Sequence, residues 1–203
     1  MDIDCDGVQG GPADDGRCSA TRSADYQAQT AFRDTIRSYH TGITDLNSYV
    51  HPYVVFGNVG SKLGWKTFDP TAYGVRPLSV MAVVCGDELV YGLWGDTNGD
   101  DGDNPMVGEA SIALATACQG IRVSGDFGHS ETDILYLAFT GDKAVPGPKG
   151  ANWTAEDFGT FEASIAELGD KLVQSVKSHA RRHVGVGWWA VVVAGSILCV
   201  AHL

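Results

Sequence analysis

Leu78-Ser-Val-Met-Ala-Val-Val-Cys85, Gly86-Asp87 and Glu88-Leu-Val-Tyr-Gly-Leu-Trp94 follow one another without a break. Two apolar, β-branched runs flank two turn-forming residues, which predicts a β-hairpin with strands over 78–85 and 88–94. On either side, Val50 to Gly57, with the run Tyr53-Val-Val-Phe56, reads as a strand. Ile134 to Thr140 reads as another, ended by the turn signal Gly141-Asp142. Three stretches have helical character. Gln27 to His40 places Ala31, Phe32, Ile36 and Tyr39 near helical spacing, and Glu109 to Cys118, opening near Gly108, is rich in Ala and Leu. Ala155 to His179 sets Phe158, Phe161, Ile165, Leu168, Leu172 and Val176 on one face. Glu156 and Asp157 near its start and Lys177 near its end suit the helix dipole. The expected class is α+β: an antiparallel β-sheet curled into a barrel, flanking helices and a long C-terminal amphipathic helix.

The chain has 203 residues, 44% of them hydrophobic, enough for one ordinary core. Its 26 glycines favour turns and strands over a helical bundle. The net charge of −11 argues against nucleic acid, whose phosphates need clustered Lys and Arg. An acidic surface draws cationic partners inward, although solubility alone also explains such a charge. Cys5 and Cys18 enclose a Gly-, Asp- and Pro-rich loop that suits a short disulfide. Cys85 and Cys118 read either as a second pair or as buried thiols. Paired cysteines imply an oxidising compartment, and Asn152-Trp-Thr154 is a glycosylation acceptor in a secreted chain.

Asp96 and Glu109 lie thirteen residues apart, each after a glycine, at the edges of an acidic loop. Glycosidic cleavage needs two carboxyls facing each other across a sugar ring. On spacing alone such a loop is more often a solvated turn. The surrounding words are specific: Trp94-Gly-Asp-Thr-Asn-Gly99, Gly108-Glu-Ala-Ser-Ile112, His51-Pro-Tyr-Val-Val-Phe-Gly-Asn58, Pro77-Leu-Ser-Val-Met-Ala-Val-Val-Cys85 and Ala144-Val-Pro-Gly147. They resemble the fungal chitosanases of glycoside hydrolase family 75, over residues 2 to about 176. The resemblance implies endo-hydrolysis of the β-1,4 bonds of chitosan with inversion, water as nucleophile and no cofactor. It implies Glu109 as proton donor and Asp96 as base. A helix opening near Gly108 would put Glu109 in its first turn, where the dipole favours the anion and opposes a donor. Nearby Asp96, Asp100, Asp101 and Asp103 would supply the opposing negative charge.

Asp100 and Asp101 are expected to hold protonated amines of the substrate, with Asn98, Trp94, His51 and Tyr53 contacting sugar. The alternative for the acidic stretch is a solvated turn or a calcium loop, and for the aromatics it is the core. Asp2, Asp4, Asp6 and Gly7 copy the first half of a calcium loop, but Ala13 stands where a bidentate Glu belongs, so no metal site is expected. His129, in a polar loop, reads as surface structure. A different class remains open: a non-catalytic carbohydrate- or calcium-binding secreted protein, or an inactive fragment.

Residues 1–178 are expected to form the catalytic domain and residues 179–203 an apolar tail. The start Met1-Asp-Ile-Asp-Cys-Asp-Gly7 is not a signal peptide, which suggests a truncated start of a secreted, monomeric, extracellular protein. Val184 to Ala201 is an uncharged run of 18 residues, just long enough to span a bilayer. An aberrant chain end, a membrane anchor and a core strand are its three readings, in that order.

Overall fold

The computed structural model describes residues 1–18, 26–58, 63, 67–99, 108–183 and 197–201. Its centre is the hairpin. Strand β3 (Val80–Cys85) pairs antiparallel with β4 (Glu88–Asn98), and Cys85 faces Glu88 across the two-residue turn. Gly86 has φ +61°, a left-handed conformation that glycine adopts without steric cost. Both strands differ from their expected ends. Leu78 is buried at φ +63°, outside the strand, with its N–H on the Trp94 carbonyl at 3.0 Å. The return strand continues past Trp94, so Asp96 lies within β4 and not at a strand-to-loop exit.

The remaining strands are β1 (Ile3–Asp4), β2 (Tyr53–Asn58), β5 (Ala110–Ser111), β6 (Ile134–Phe139) and β7 (Ile197–Ala201). The sheet has seven strands, six from the body of the chain and one from the tail, in the order β1-β5-β2-β4-β3-β6-β7. Strands β1 and β7 stand at opposite ends, so the sheet is open and the barrel expected above is overturned. The sheet is also mixed: β2 runs parallel to β4, and β1 parallel to β5. Most of the apolar tail run, 184–196, lies outside the described residues. Among those described, no helix is long and apolar enough to cross a membrane.

The α-helices among the described residues are α1 (Arg33–Ser38), α2 (Ile112–Gln119) and α3 (Phe158–His183). Helix α1 is shorter than its periodicity predicts. The N–H groups of Gln27, Thr30 and Ala31 go to the carboxylates of Asp6, Asp45 and Asp96 and not to helical carbonyls. Asp157 starts α3 by accepting from the Thr160 N–H at 2.8 Å. Helix α3 lies on one face of the sheet through Phe161 and Ile165, both fully buried. Gly169 is required there, because a Cβ would stand 2.5 Å from the Tyr91 ring. The opposite face packs Val54, Phe56, Met81, Trp94, Ile112 and Leu114. Disulfides Cys5–Cys18 and Cys85–Cys118 tie the N-terminal loop together and fasten α2 to the end of β3.

Candidate active site

The route from Asp96 to Glu109 runs through β2. Val55 is in register with Asp96 on one side, and on the other its N–H donates to the Glu109 carbonyl at 2.9 Å. Gly108 N–H donates back to the Val55 carbonyl at 2.8 Å. The two acidic residues therefore flank one strand, about 10 Å apart backbone to backbone at ordinary strand spacing. Asn98 lies two residues beyond Asp96 on β4 and reaches Glu109. Residues two apart on a strand share a face, so Asn98 and Asp96 point the same way. The Asn98 amide Nδ2 donates to Glu109 Oε2 at 3.2 Å.

Glu109 is half-buried and precedes both β5 and the Ser111 cap of α2. The Ser111 hydroxyl accepts from Leu114 N–H, so the helix begins three residues later than expected. Glu109 therefore lies outside the first turn, and the dipole objection to a proton donor falls away.

Asp96 is buried, with 5% of its surface exposed. Its Oδ1 accepts from Ala31 N–H at 2.9 Å and Thr97 N–H at 2.7 Å. Burial outweighs these two bonds, and with the charges of Asp6 and Asp45 it pushes the carboxyl up to about 7. A bulge places Asp96: Val54 pairs with Trp94 but Val55 with Asp96, leaving Gly95 as the extra residue. Gly95 must lack a side chain, because a Cβ would come within 2.4 Å of Tyr53 Cβ.

The N-terminal segment completes the site. Carboxyl oxygens of Asp4, Asp6 and Asp96 lie within 4.8 Å of one another, and all three residues are buried. Asp4 Oδ1 accepts from Asp6 N–H at 2.7 Å, and Asp6 Oδ1 from Gln27 N–H at 2.6 Å. Burial raises Asp4 well above the usual carboxylate range, reinforced by the charge of Asp96 and then of Glu109. Packed this closely and buried, the carboxyls favour holding protons among them. Asp2, the other acid of the half calcium motif, turns to its neighbour's Ile3 N–H.

Other expected site residues fall in different places. Trp94 is buried, donates its indole N–H to the Asp96 carbonyl at 2.8 Å and meets Phe32 edge-on. Tyr53 is fully buried and donates to the Asp6 carbonyl at 3.0 Å. Both bond to backbone carbonyls of the acidic cluster. His51 is outside it, in the core below α3: Nδ1 accepts from Asn47 N–H at 2.8 Å and Nε2 lies 3.2 Å from the Trp153 carbonyl. Asp100, Asp101 and Asp103 lie outside the described residues. The sequence singles out Asp4 and Asp6 only as half a calcium motif and does not join them to Asp96, some ninety positions away in the chain. The backbone amides of Asp6, Gln27 and Ala31 that bond to these carboxyls leave no periodic signal.

The family described as fungal chitosanase of glycosyl hydrolase group 75 matches residues 1–175. An endo-chitosanase of Aspergillus oryzae is 48% identical over 88% of this chain and 68% of its own length. An endo-chitosanase of Aspergillus fumigatus is 44% identical over 88% of this chain and 69% of its own. A second protein of A. oryzae, endo-chitosanase B, is 46% identical over a similar span. No solved structure matches the chain. With the family's match running from the cluster at Asp4 through Asp96 and Glu109 to the docked helix α3, the chain belongs to the fungal chitosanases of glycosyl hydrolase group 75.

Proposed function

We propose that this chain is an endo-acting hydrolase of the β-1,4 bonds of chitosan, with Glu109 as general acid and Asp96 as general base. The observation that carries the reading is the placement of the two carboxyl residues on either side of Val55, with Asn98, two residues along β4 from Asp96, donating to Glu109. Asp96 takes a proton from a water molecule as the water oxygen bonds to the anomeric carbon. Glu109 gives its proton to the glycosidic oxygen as the bond from that carbon breaks. Direct attack by water inverts the anomeric configuration, as the likeness to the family implies.

An unliganded Asp96 near 7 is poised as a base, since proton transfer is most efficient when the group titrates near the working pH. A glucosamine ammonium arriving beside it favours the anion and lowers that value. Substrate that is cationic thereby switches its own base on. The net charge of −11 adds a general attraction for a polycation. Asp100 and Asp101 are proposed to meet further amines of the polymer. The two disulfides and the similarity to fungal chitosanases support export to an oxidising, extracellular compartment.

The test is viscosity loss and reducing-end release from chitosan by the wild type, Glu109→Gln and Asp96→Asn. The reading requires cutting by the wild type, and retained polymer binding without turnover in the variants. Equal hydrolysis by all three would remove both assignments. Proton NMR of the first product reports its anomeric configuration, and a retained configuration would exclude the direct attack of water.

A further inference from the structure

The buried acidic centre holds more negative groups than the reaction uses. Asp4 and Asp96 are both buried, and no cation among the described residues faces either one. Carboxyls this close in a poorly solvated site cannot all be ionised, because each anion raises the cost of the next.

The hydroxyl of Tyr53 identifies the group that keeps a proton. It contacts the Asp6 carbonyl oxygen at 3.0 Å and also the Asp4 carboxyl. A phenol has one proton, and a carbonyl oxygen can only accept. With the Tyr53 proton on the Asp6 carbonyl, the Tyr53 oxygen is an acceptor toward Asp4. The proton in that second contact then belongs to Asp4. The Asp6 N–H favours the Asp4 anion, and burial outweighs it. Asp4 Oδ1 accepts one backbone N–H, from Asp6, which leaves its other oxygen for the proton. Asp96, by contrast, accepts two backbone N–H groups, as suits an anion. The titratable groups facing Asp4 are Asp6 on its own segment, Tyr53 on β2, Asp96 on β4 and Glu109 ahead of β5, while Asp45 acts on Asp96. Burial and the Asp96 charge push Asp4 in the same direction, toward the neutral acid.

We propose that Asp4 is a positioning residue for the hydrolysis: a neutral carboxylic acid, donating to Tyr53, that keeps its proton while Asp96 ionises, so that the negative charge of this pair falls on the base. The proposal rests on the reading of Asp96 as base, but its first test does not require turnover. Infrared spectra of the wild type and Asp4→Asn are compared at about pH 8, above the Asp96 midpoint. Loss of a carboxylic-acid C=O band in the variant supports the proposal, and loss of a carboxylate band overturns it. Should Asp4→Asn fail to fold, Tyr53→Phe serves instead. Removing the acceptor shifts the same acid band, and an unmoved band overturns the proposal.

The second test is the pH dependence of kcat/KM on chitosan. Asp4→Asn keeps a donor and an acceptor, so kcat falls less than about tenfold and the acidic limb stays in place. Asp4→Leu keeps neither, and kcat falls about a hundredfold with little change in KM. Asp6→Asn, which removes an anion that raises Asp96, moves the acidic limb to lower pH and shows that the assay detects such a shift. A comparable shift in Asp4→Asn would mean that Asp4 is ionised, and would overturn the proposal.

Discussion

His51 and Asp96 are buried to similar degrees, 2% and 5% exposed, and both come from sequence words that look functional. Their surroundings differ in kind. Each ring nitrogen of His51 has a backbone partner, from Asn47 and Trp153, and its ring meets Phe161 edge-on. Burial pulls it down to about 4, so it stays neutral and finished as a structural part. Asp96 is pushed up to about 7 beside other carboxyls. A buried polar group with complete hydrogen bonds supports the fold, whereas one crowded by like charge holds a protonation state that substrate can change.

The largest effect that would sharpen this contrast is on catalysis. Glu109→Gln and Asp96→Asn are each expected to lower kcat by about 10²–10⁴-fold, the usual worth of general acid–base catalysis. His51→Gln should leave kcat of the folded fraction unchanged in the same assay. A catalytic loss there would break the comparison.

Next is the Cys5–Cys18 disulfide, which brackets Asp6 and follows Asp4 directly. Replacing both cysteines with serine should cost about 3 kcal/mol by the loop-closure account, read as a lower midpoint in urea. It should also lower kcat, since Asp4 and Asp6 lose their anchor. Replacing Cys85 and Cys118 should lower stability with less effect on kcat, because that bond joins β3 to α2 away from the carboxyls.

The two regions also oppose each other in pH dependence. An unfolded Asp titrates near 3.8, and folded Asp96 near 7. Between those values the unfolded chain releases a proton that the folded chain keeps. Stability from Asp96 is therefore present at low pH and lost as pH rises through about 7. His51 acts in the other direction: it titrates at 6.5 unfolded and about 4 folded, so stability is lost as pH falls through that window. Thermal melts should show Asp96→Asn above the wild type at about pH 8 and level with it at about pH 4. His51→Gln should melt lower at neutral pH, by about 1–3 kcal/mol for the disturbed hydrogen bonds, with a flatter acid side.

The hairpin, helix α3 and the Cys5–Cys18 disulfide were legible because each is local, whereas Cys85–Cys118, which the sequence reads equally well as buried thiols, joins elements 33 residues apart. Gly86-Asp87 dictates its turn, and the apolar face from Phe158 to Val176 dictates its helix. The open, mixed sheet was not. Strands β1 and β5 are two residues long and carry no period of their own, and β2 pairs in parallel with β4, distant in the chain, through a register that shifts at Gly95. The same limit hid the true extent of α1, whose preceding amides serve distant carboxylates. Asp4 looked like half a calcium loop because its partners, Tyr53 and Asp96, meet it only through the sheet. Trp94 and Tyr53, expected to contact sugar, are buried and bond to the carbonyls of Asp96 and Asp6, which only the structure reveals.

The most direct measurement is reducing-end release from chitosan by wild type and Glu109→Gln, with polymer binding measured alongside. The account predicts that the wild type cuts while Glu109→Gln binds comparably and is at least about a hundredfold slower. A Glu109→Gln variant that cuts at the wild-type rate would contradict it.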